Sequence, residues 1–413
     1  MSATATQRAA RRAGHALLRR ITGGLLEVTE SGETLAFGDP SAGLRASVEV
    51  RDPAAWTSLM RGSTGYAEGY VEELWHTEDL VAVIQVTARA MRPLDRLRKR
   101  WQPVIGRAQR IGRLVPRNTH TGARTNIAAH YDIGNDLFTA FLDRQLVYSS
   151  AYFETPETSL EAAQDEKLDR ICRQLELDSD DHLVEIGTGW GAMAIYAARE
   201  YGCRVTTTTI SKEQRAYALE RVEAEGLSDL VTVLDRDYRD LRGKFTKLVS
   251  IEMIEAVGWQ YFETFFRKCS SLLTGDGLMA LQAIVIEDDL YELEKASRSF
   301  ANTHIFPGGC LPSERLINEM VARHTDMAGT LTEDITPHYA ETLRIWRERF
   351  NDSVPQLVAE GYDARFQRLW NFYLAFSEGG FREQRIRDLQ MVFAKPAAAR
   401  ANAEDRGRTA VFA

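Results

Sequence analysis

The sequence has few cysteines and no long run of apolar residues. Its four cysteines, Cys172, Cys203, Cys269 and Cys310, form no CxxC pair, which argues against a zinc site and against a disulfide framework. We therefore expect buried thiols and no bound metal. No stretch approaches the roughly 20 consecutive apolar residues that span a bilayer. The basic N-terminal segment lacks the apolar core and the small-residue cleavage site of a secretory signal, so a cytoplasmic protein is expected.

An excess of basic charge is also missing. The chain has 51 Lys and Arg against 59 Asp and Glu, a net charge of -8, so nucleic acid is not expected as a partner. Residues 89–124 are the exception, because their many arginines are interleaved with apolar residues and a single acid, Asp95. This basic amphipathic pattern suits an anionic membrane surface. The equal alternative is a solvated linker whose arginines pair with acidic residues elsewhere in the chain.

The length of 413 residues predicts two domains with a connecting segment. Residues 1–88 mix short strand-like and helical patterns, which indicates a small α+β domain. The basic segment 89–124 is punctuated by prolines and is interpreted as a linker. From residue 125 to 413 strands alternate with helices. This alternation predicts an α/β domain with a doubly wound parallel sheet covered on both faces.

The alternating pattern is clearest between residues 183 and 286. Strands are predicted at Leu183–Gly187, Arg204–Ile210, Leu230–Leu234, Lys247–Ile251 and Gly277–Ile286, and helices at Ala192–Tyr201, Lys212–Glu225 and Tyr261–Leu273. The β-branched run from Val205 to Ile210 is typical of a strand that is buried on both faces.

A glycine-rich loop follows the first of these strands. Gly187, Gly189 and Gly191 complete the pattern E-x-G-x-G-x-G, which starts at Glu185. Glycines at the carboxyl end of a first strand let the backbone approach a ligand. The spacing is the form in which class I methyltransferases hold S-adenosylmethionine (SAM), and it differs from the G-x-G-x-x-G of dinucleotide-binding enzymes. The alternative is ordinary turn chemistry.

Eight segments between residues 126 and 395 carry a resemblance to a known family. They are HYDIGNDLF (130–138), LVYSSAYF (146–153), VEIGTGWG (184–191), TISKEQ (209–214), DYRDL (237–241), EMIEAVG (252–258), IFPGGCLPS (305–313) and FYLAFSEGGFR (372–382). In this order they resemble the cyclopropane-fatty-acyl-phospholipid synthases, a family that includes the mycolic acid methyltransferases. The segment GYAEGYVEELW (65–75) is similar to the N-terminal domain of the phospholipid-acting members.

The resemblance implies a class I SAM-dependent methyltransferase that acts on the double bond of an unsaturated acyl chain in a membrane phospholipid. The N-terminal domain would then associate with lipid, and the enzyme would be peripheral at the inner face of the membrane, touching anionic lipid through residues 89–124. The family likeness also suggests a homodimer. The competing interpretation is a small-molecule O- or N-methyltransferase, because one fold hosts many activities.

The resemblance also implies which residues line the SAM site. Together with Glu185 and the three glycines of the loop, they are Tyr148, Ser149, Thr209, Gln214, Asp237, Tyr238 and Arg239. An aromatic ring beside a sulfonium cation is physically favourable, which gives Tyr148 a reason for its place. For each of these residues the plainer alternative is packing or turn formation.

The resemblance implies a base that is not part of the protein. In the resembled synthases, a bicarbonate ion is held by a Cys, a Glu, a His, a Tyr and one backbone group. The matching positions here keep Glu255 and Tyr339, with Ile284 for the backbone contact. The chain departs at two others, because Ser150 replaces the cysteine and Gln282 replaces the histidine.

Glu252 is a further departure, and it places a second carboxylate about one helical turn from Glu255. Ala256 also replaces a histidine. Two carboxylates so close repel a bound anion and raise each other's pKa. Either bicarbonate is held differently or Glu252 is itself the base. The equal alternative is that Glu252 only caps a helix or pairs with an arginine.

The altered base site bears on the product. If the cation formed by methyl transfer closes at once, a cyclopropane forms; if a hydride shifts first, loss of a methyl proton leaves an exocyclic methylene. Actinobacterial relatives of this family make 10-methylene chains that a separate reductase converts to 10-methyl branches, and the altered site resembles theirs. We therefore expect a 10-methylene product and a separate reductase as partner, with cyclopropane formation as the alternative.

Overall fold

The computed structural model describes residues 4–92, 95, 118, 122–123 and 134–399, and the chain divides into two compact units. The first unit combines residues up to 114 with 289–307 and 340–386; the second combines 115–288, 308–339 and residues from 387 onward. Two segments of the predicted 125–413 domain therefore belong to the first unit. Most of the predicted basic linker, 89–124, lies outside the described residues, and the boundaries at 88 and 124 stay predictions.

The first unit begins with a helix and a small mixed sheet. The helix is Ala5–Leu18, and the strands are β1 (Leu25–Glu30), β2 (Glu33–Gly38), β3 (Arg45–Val50) and β4 (Trp75–His76). The strand order is β2-β1-β3-β4. Strand β1 pairs antiparallel with β2 and parallel with β3, and β3 pairs antiparallel with β4. Helix and sheet in this unit agree with the predicted α+β class.

Helices supply the rest of the first unit. They cover Ala54–Leu59, Gly62–Val71, residues 80–92, Tyr291–Ala296, Val354–Ala359, Ala364–Arg382 and part of Thr336–Asp352. The Tyr66 ring packs edge-on against Phe372, with ring centroids 5.6 Å apart. Glu378 is buried and accepts hydrogen bonds from Arg347 and Arg382. Residues far apart in the sequence thus share one apolar and ionic core.

The second unit contains a seven-stranded sheet. Its strands are β5 (His182–Ile186), β6 (Arg204–Thr209), β7 (Val231–Asp235), β8 (Phe245–Ile251), β9 (Leu273–Ile286), β10 (Ala328–Asp334) and β11 (Ile386–Ala394). Their order is β10-β11-β9-β8-β5-β6-β7. Strands β5 to β9 pair in parallel, whereas β10 and β11 pair antiparallel. The sheet is mixed and mostly parallel, with an antiparallel pair at one edge that the sequence patterns did not indicate.

Helices of the second unit separate these strands along the chain. They cover Asn135–Phe141, Leu160–Gln174, Ala192–Tyr201, Lys212–Ala224, Ile254–Val257, Phe262–Leu272 and Glu314–His324. The strands and helices predicted between residues 183 and 286 agree with these bounds to within a few residues. All four cysteines are buried and free, as expected. Over the described parts of the chain, no helix combines the length and the apolar content that crossing a membrane requires.

The parallel strands place several predicted site residues along one edge of the sheet. Gly187 follows β5, Thr209 ends β6, Asp237 follows β7 and Glu252 follows β8. The carboxyl ends of parallel strands meet at the same edge, where open α/β sheets bind their ligands. The candidate site is therefore built on the carboxyl ends of four neighbouring strands.

Candidate active site

The glycine-rich loop has a backbone that favours glycine. Gly187, Gly189 and Gly191 have φ angles of 107°, 52° and 92°, between the end of β5 and a helix that begins at Ala192. A Cβ atom added at Gly187 would come within 3.2 Å of the Met253 side chain, whereas nothing lies within 4 Å of one added at Gly189. The loop is therefore tight on one side and open on the other, which suits close contact between backbone and ligand.

The next two strand ends carry further predicted ligands. The Thr209 hydroxyl donates to the side-chain oxygen of Gln214 at 3.0 Å. The Asp237 carboxylate accepts from the backbone N–H and the guanidinium of Arg239 at distances between 2.6 and 3.0 Å. The Tyr238 hydroxyl is buried without a hydrogen-bond partner among the described residues. These side chains lie at the carboxyl edge of the sheet, with the Asp237 carboxylate already paired to Arg239.

Tyr148 and Ser149 are held in place by buried side chains. The Tyr148 ring packs edge-on against Phe138 and Phe141, with centroid distances of 5.3 and 6.2 Å. The Ser149 hydroxyl accepts a hydrogen bond from Lys167 Nζ at 2.8 Å. This segment is therefore anchored before any ligand binds.

Lys167 and Glu185 are buried ionisable groups of the same region. Burial lowers the pKa of Lys167 to about 8, although nearby carboxylates, Glu252 first among them, oppose the shift. Burial raises the pKa of Glu185 to about 8, opposed by a hydrogen bond with Thr207 and by the charge of Lys167. Glu185 is only 3% exposed. Glu185, which was predicted to line the cofactor site, is therefore buried inside the protein.

The carboxylate of Glu252 is the centre of the candidate site. Glu252 has a φ angle of 47°, a left-handed conformation that is uncommon for a residue with a side chain. Its Oε1 accepts from the Ser150 N–H and from Gln282 Nε2, both at 2.8 Å. Its Oε2 accepts from the Tyr339 hydroxyl at 2.6 Å. Three donors on one carboxylate favour its charged form.

Glu255 lies beside this cluster. Its Oε1 accepts from the Ile284 N–H at 2.5 Å, and its Oε2 is buried without a hydrogen-bond partner among the described residues. Burial and the charge of Glu252 raise the pKa of Glu255 to about 8. Burial also raises the pKa of Glu252, but the hydrogen bonds that it accepts oppose this shift. At neutral pH Glu255 is therefore mostly protonated, and Glu252 is the better placed to carry charge.

The predicted catalytic residues thus come together in one hydrogen-bonded cluster. Ser150, Gln282 and Tyr339 all donate to Glu252, and Glu255 lies next to it. The partners of the Glu252 carboxylate are a backbone N–H, an amide and a hydroxyl, in place of the arginine that one alternative required. The cluster has the composition of a positioned general base.

Two buried ionisable residues of this region were absent from the predicted set. Asp388 in β11 accepts from Gln282 Nε2 at 3.0 Å, and Lys167 donates to the segment before Ser150. The sequence signal for Asp388 was its position as an acidic residue next to the apolar residues that end β11. Lys167 lies in the i, i+4 row that Ala163 and Ile171 form on the buried face of its helix, which was a weaker signal.

Residues 118–391 match the family model described as mycolic acid cyclopropane synthetase. The chain belongs to this family. A similar family member, tuberculostearic acid methyltransferase UfaA1 from Mycobacterium tuberculosis, is 36% identical over 364 residues, which cover 86% of this chain and 84% of the relative. The cyclopropane-fatty-acyl-phospholipid synthase from Escherichia coli is 34% identical over 353 residues, which cover 85% of this chain and 88% of the relative.

Solved structures of mycolic acid cyclopropane synthetase family members share the fold. The cyclopropane synthase MmaA2 from Mycobacterium tuberculosis has a TM-score of 0.62 at 28% identity, covering 66% of this chain and 98% of that chain. The mycolic acid cyclopropane synthase CmaA1, complexed with SAH and CTAB, has the same TM-score at 29% identity and the same coverage. The predicted family, class I methyltransferase fold, enzyme class and SAM dependence are therefore confirmed.

Replacement of Gly187 by alanine tests the glycine loop. The new Cβ would meet Met253 at 3.2 Å, and a residue with a side chain would have to adopt a φ angle of 107°, which costs about 1–3 kcal/mol. We expect Gly187→Ala to weaken the binding of S-adenosylhomocysteine by about tenfold, measured by isothermal titration calorimetry. Gly275→Ala is the matched control, because nothing lies within 4 Å of its added Cβ. Equal affinities of the two variants would exclude the loop as the cofactor site.

Proposed function

We propose that this enzyme transfers the methyl group of SAM to the double bond of an unsaturated acyl chain in a membrane phospholipid, giving a methylene-branched chain. The observation that carries the proposal is the Glu252 carboxylate, which is held by Ser150, Gln282 and Tyr339. The relative named as a tuberculostearic acid methyltransferase supports the same type of activity, because it matches 86% of this chain at 36% identity.

The cofactor, when bound, supplies an electrophilic methyl group on a sulfonium centre. The backbone from Gly187 to Gly191 would hold it, together with Thr209 and the turn at Asp237, and the Tyr148 ring would face the cation. An isolated alkene is a weak nucleophile. The protein must therefore align the double bond with the methyl group in a dry site and stabilise the cation that forms.

The reaction requires one proton acceptor. The π electrons of the double bond form the new carbon–carbon bond while the carbon–sulfur bond breaks, and the neighbouring carbon becomes a cation. A hydride then shifts from the methylated carbon to that cation. Loss of a proton from the added methyl group leaves its C–H electron pair as the methylene double bond. Glu252 is the carboxylate that we assign as the acceptor of this proton.

Tyr339 and the Ile284 N–H, two of the groups expected to hold a bicarbonate ion, are already bonded to carboxylates of the protein. Tyr339 and the Ser150 N–H donate to Glu252, and the Ile284 N–H donates to Glu255. A second anion at this place would also face the charge of Glu252. We infer that Glu252 takes the place of the bicarbonate that the family resemblance implied.

Cyclopropane formation is the second candidate, and the 34% identity to a cyclopropane-fatty-acyl-phospholipid synthase favours it. Both products lose a proton from the same methyl group, so they differ in whether the hydride shifts first. The base site departs from that of the resembled cyclopropane synthases at Ser150, Glu252 and Gln282. We therefore favour proton loss after the hydride shift, which gives the methylene.

We propose that the enzyme works in the cytoplasm at the inner face of the membrane, as a homodimer, with residues 89–124 against anionic lipid. The support is the basic amphipathic pattern of that segment. Conversion of the methylene into a methyl branch adds two hydrogen atoms, so it requires a separate reductase.

Product analysis tests the proposed activity. The purified protein is incubated with SAM and vesicles of dioleoyl phospholipid, and the fatty acid esters are examined by mass spectrometry and proton NMR. We expect esters enlarged by one CH2 unit that show vinylidene proton signals. High-field ring protons would show that the product is a cyclopropane and not a methylene-branched chain. The absence of any lipid product would contradict the proposal and favour a small-molecule methyltransferase.

Replacement of Glu252 tests the assignment of the base. We expect Glu252→Gln to lower the rate of product formation by at least about a hundredfold, because an amide of the same shape cannot accept the proton. Binding of S-adenosylhomocysteine should be unchanged. Glu263→Gln is the matched control, because Glu263 is a half-exposed residue of the same unit that pairs with Arg267, and it should stay within about twofold of wild type. A Glu252→Gln enzyme with the wild-type rate would exclude Glu252 as the base.

A further inference from the structure

Asp388 is a buried acid for which the proposed reaction has no role. It lies in β11 with no exposed surface. Its backbone N–H donates to the Thr336 hydroxyl at 3.1 Å, and its carbonyl accepts from the Ile335 N–H at 2.9 Å. Its side-chain Oδ2 accepts from Gln282 Nε2 at 3.0 Å. Asp388 is thus fixed next to the Glu252 cluster within the second unit.

Three glutamine side chains form a chain of hydrogen bonds that orients the amide group of Gln282. Gln174 donates to the side-chain oxygen of Gln390, and Gln390 donates to the side-chain oxygen of Gln282, both at 3.1 Å. Because the Gln282 oxygen is used as an acceptor, its NH2 group faces the two acids. One hydrogen is available for Glu252 and the other for Asp388. The two carboxyl groups therefore share the amide of Gln282 as a hydrogen-bond donor.

The second carboxyl oxygen of Asp388 indicates which acid is neutral. Asp388 Oδ1 is buried without a hydrogen-bond partner among the described residues. If Asp388 were charged, this oxygen would be desolvated without a donor, which is more costly than burying a neutral acid. Glu252 instead accepts three hydrogen bonds. Negative charge is therefore better placed on Glu252.

The charges around Asp388 lead to the same assignment. Burial and repulsion by Glu252 and Glu255 raise the pKa of Asp388, as does a hydrogen bond with Glu252, and Lys167 opposes the shift. Lys167 carries one positive charge, which can balance the charge of one of these carboxylates.

The acids of the neighbouring strand β10 are bonded to residues outside the Glu252 cluster. Glu333 is bonded to Arg170 and Gln174, and Asp334 is paired with Arg387. Because Glu333 and Asp334 have these partners, we assign the negative charge of the Glu252 cluster without them.

We infer that Asp388 is a positioning residue that stays protonated and, together with Gln282, keeps Glu252 as the single charged carboxylate of the hydrogen-bonded cluster around Gln282. An ionised Asp388 would place a second negative charge near Glu252. Glu252 would then hold its own proton more tightly and could not accept one from the substrate. The inference rests on the proposed role of Glu252, and it extends the base site to β11.

Two substitutions separate a protonated Asp388 from a charged one. Asn resembles a protonated Asp, because it is neutral and offers an acceptor oxygen to Gln282 beside a donor group, whereas Leu offers neither. We expect Asp388→Leu to lower the rate of lipid methylation by about tenfold and Asp388→Asn to restore it to within about threefold of wild type. Thermal unfolding and S-adenosylhomocysteine binding verify that both variants fold.

The pH dependence of the rate gives a readout that packing alone would not change. The acid limb of the profile reports the ionisation of Glu252, which must be charged to act. If Asp388 is already neutral, Asp388→Asn leaves this limb in place. If Asp388 is charged, the substitution removes a nearby negative charge and moves the limb to lower pH by about one unit or more.

Infrared difference spectroscopy tests the protonation state without any turnover. The spectrum of wild type minus Asp388→Asn should contain the carbonyl band of a protonated carboxylic acid. The matched control is Asp334→Asn on β10, a partly exposed acid paired with Arg387, and its difference spectrum should lack this band.

Three outcomes would overturn the inference: an Asp388→Asn enzyme as slow as Asp388→Leu, an acid limb that moves to lower pH, or a difference spectrum without the protonated band. Failure of the proposed function is distinguishable from these, because wild-type protein would then give no lipid product. The infrared measurement would still decide the protonation state of Asp388.

Discussion

The Glu252 carboxylate, which we propose as the charged base, is the feature on which the rest of the site depends. A charge withdrawn from water is tolerated only where hydrogen bonds and opposite charge replace the lost solvation. Ser150, Gln282 and Tyr339 supply the hydrogen bonds, and Lys167 supplies the opposite charge. The left-handed backbone at Glu252 aims the side chain at these donors, and it persists because the surrounding contacts hold it there.

The other acids of the region follow from that constraint. Glu185 and Glu255 each have a pKa raised to about 8, chiefly by burial, so they are mostly protonated at neutral pH. Asp388 belongs to the same set. The three hydrogen bonds that Glu252 accepts make it the better placed to carry charge. Of these several acids, Glu252 is therefore the one that can accept a proton. A base that is part of the protein is always in place, unlike a free ion that must bind first.

Local sequence patterns were sufficient for the parts of the structure that depend on local chemistry. The glycine loop and strands β5 to β9 were predicted because periodicity and glycine placement act over a few residues. Ser150, Glu252 and Gln282 were singled out because they depart from the motif of the resembled family. Their hydrogen bonds could not be predicted, since the partners come from distant segments. Gln282 and Asp388, for example, are 106 positions apart. The grouping of residues 340–386 with the N-terminal unit was missed because an apolar helix face does not reveal which surface it covers.

We propose that Glu252 replaces a free anion as the base. The most direct test is the rate of lipid methylation against bicarbonate concentration, in carbonate-free buffer, for wild type and for Glu252→Gly, which removes the carboxylate and suits the left-handed backbone. We expect that the wild-type rate does not depend on bicarbonate, while the slow variant gains activity as bicarbonate accepts the hydrogen bonds that Glu252 accepts in wild type. A wild-type rate that rises with bicarbonate, with no rescue of Glu252→Gly, would contradict the role of Glu252 as the base.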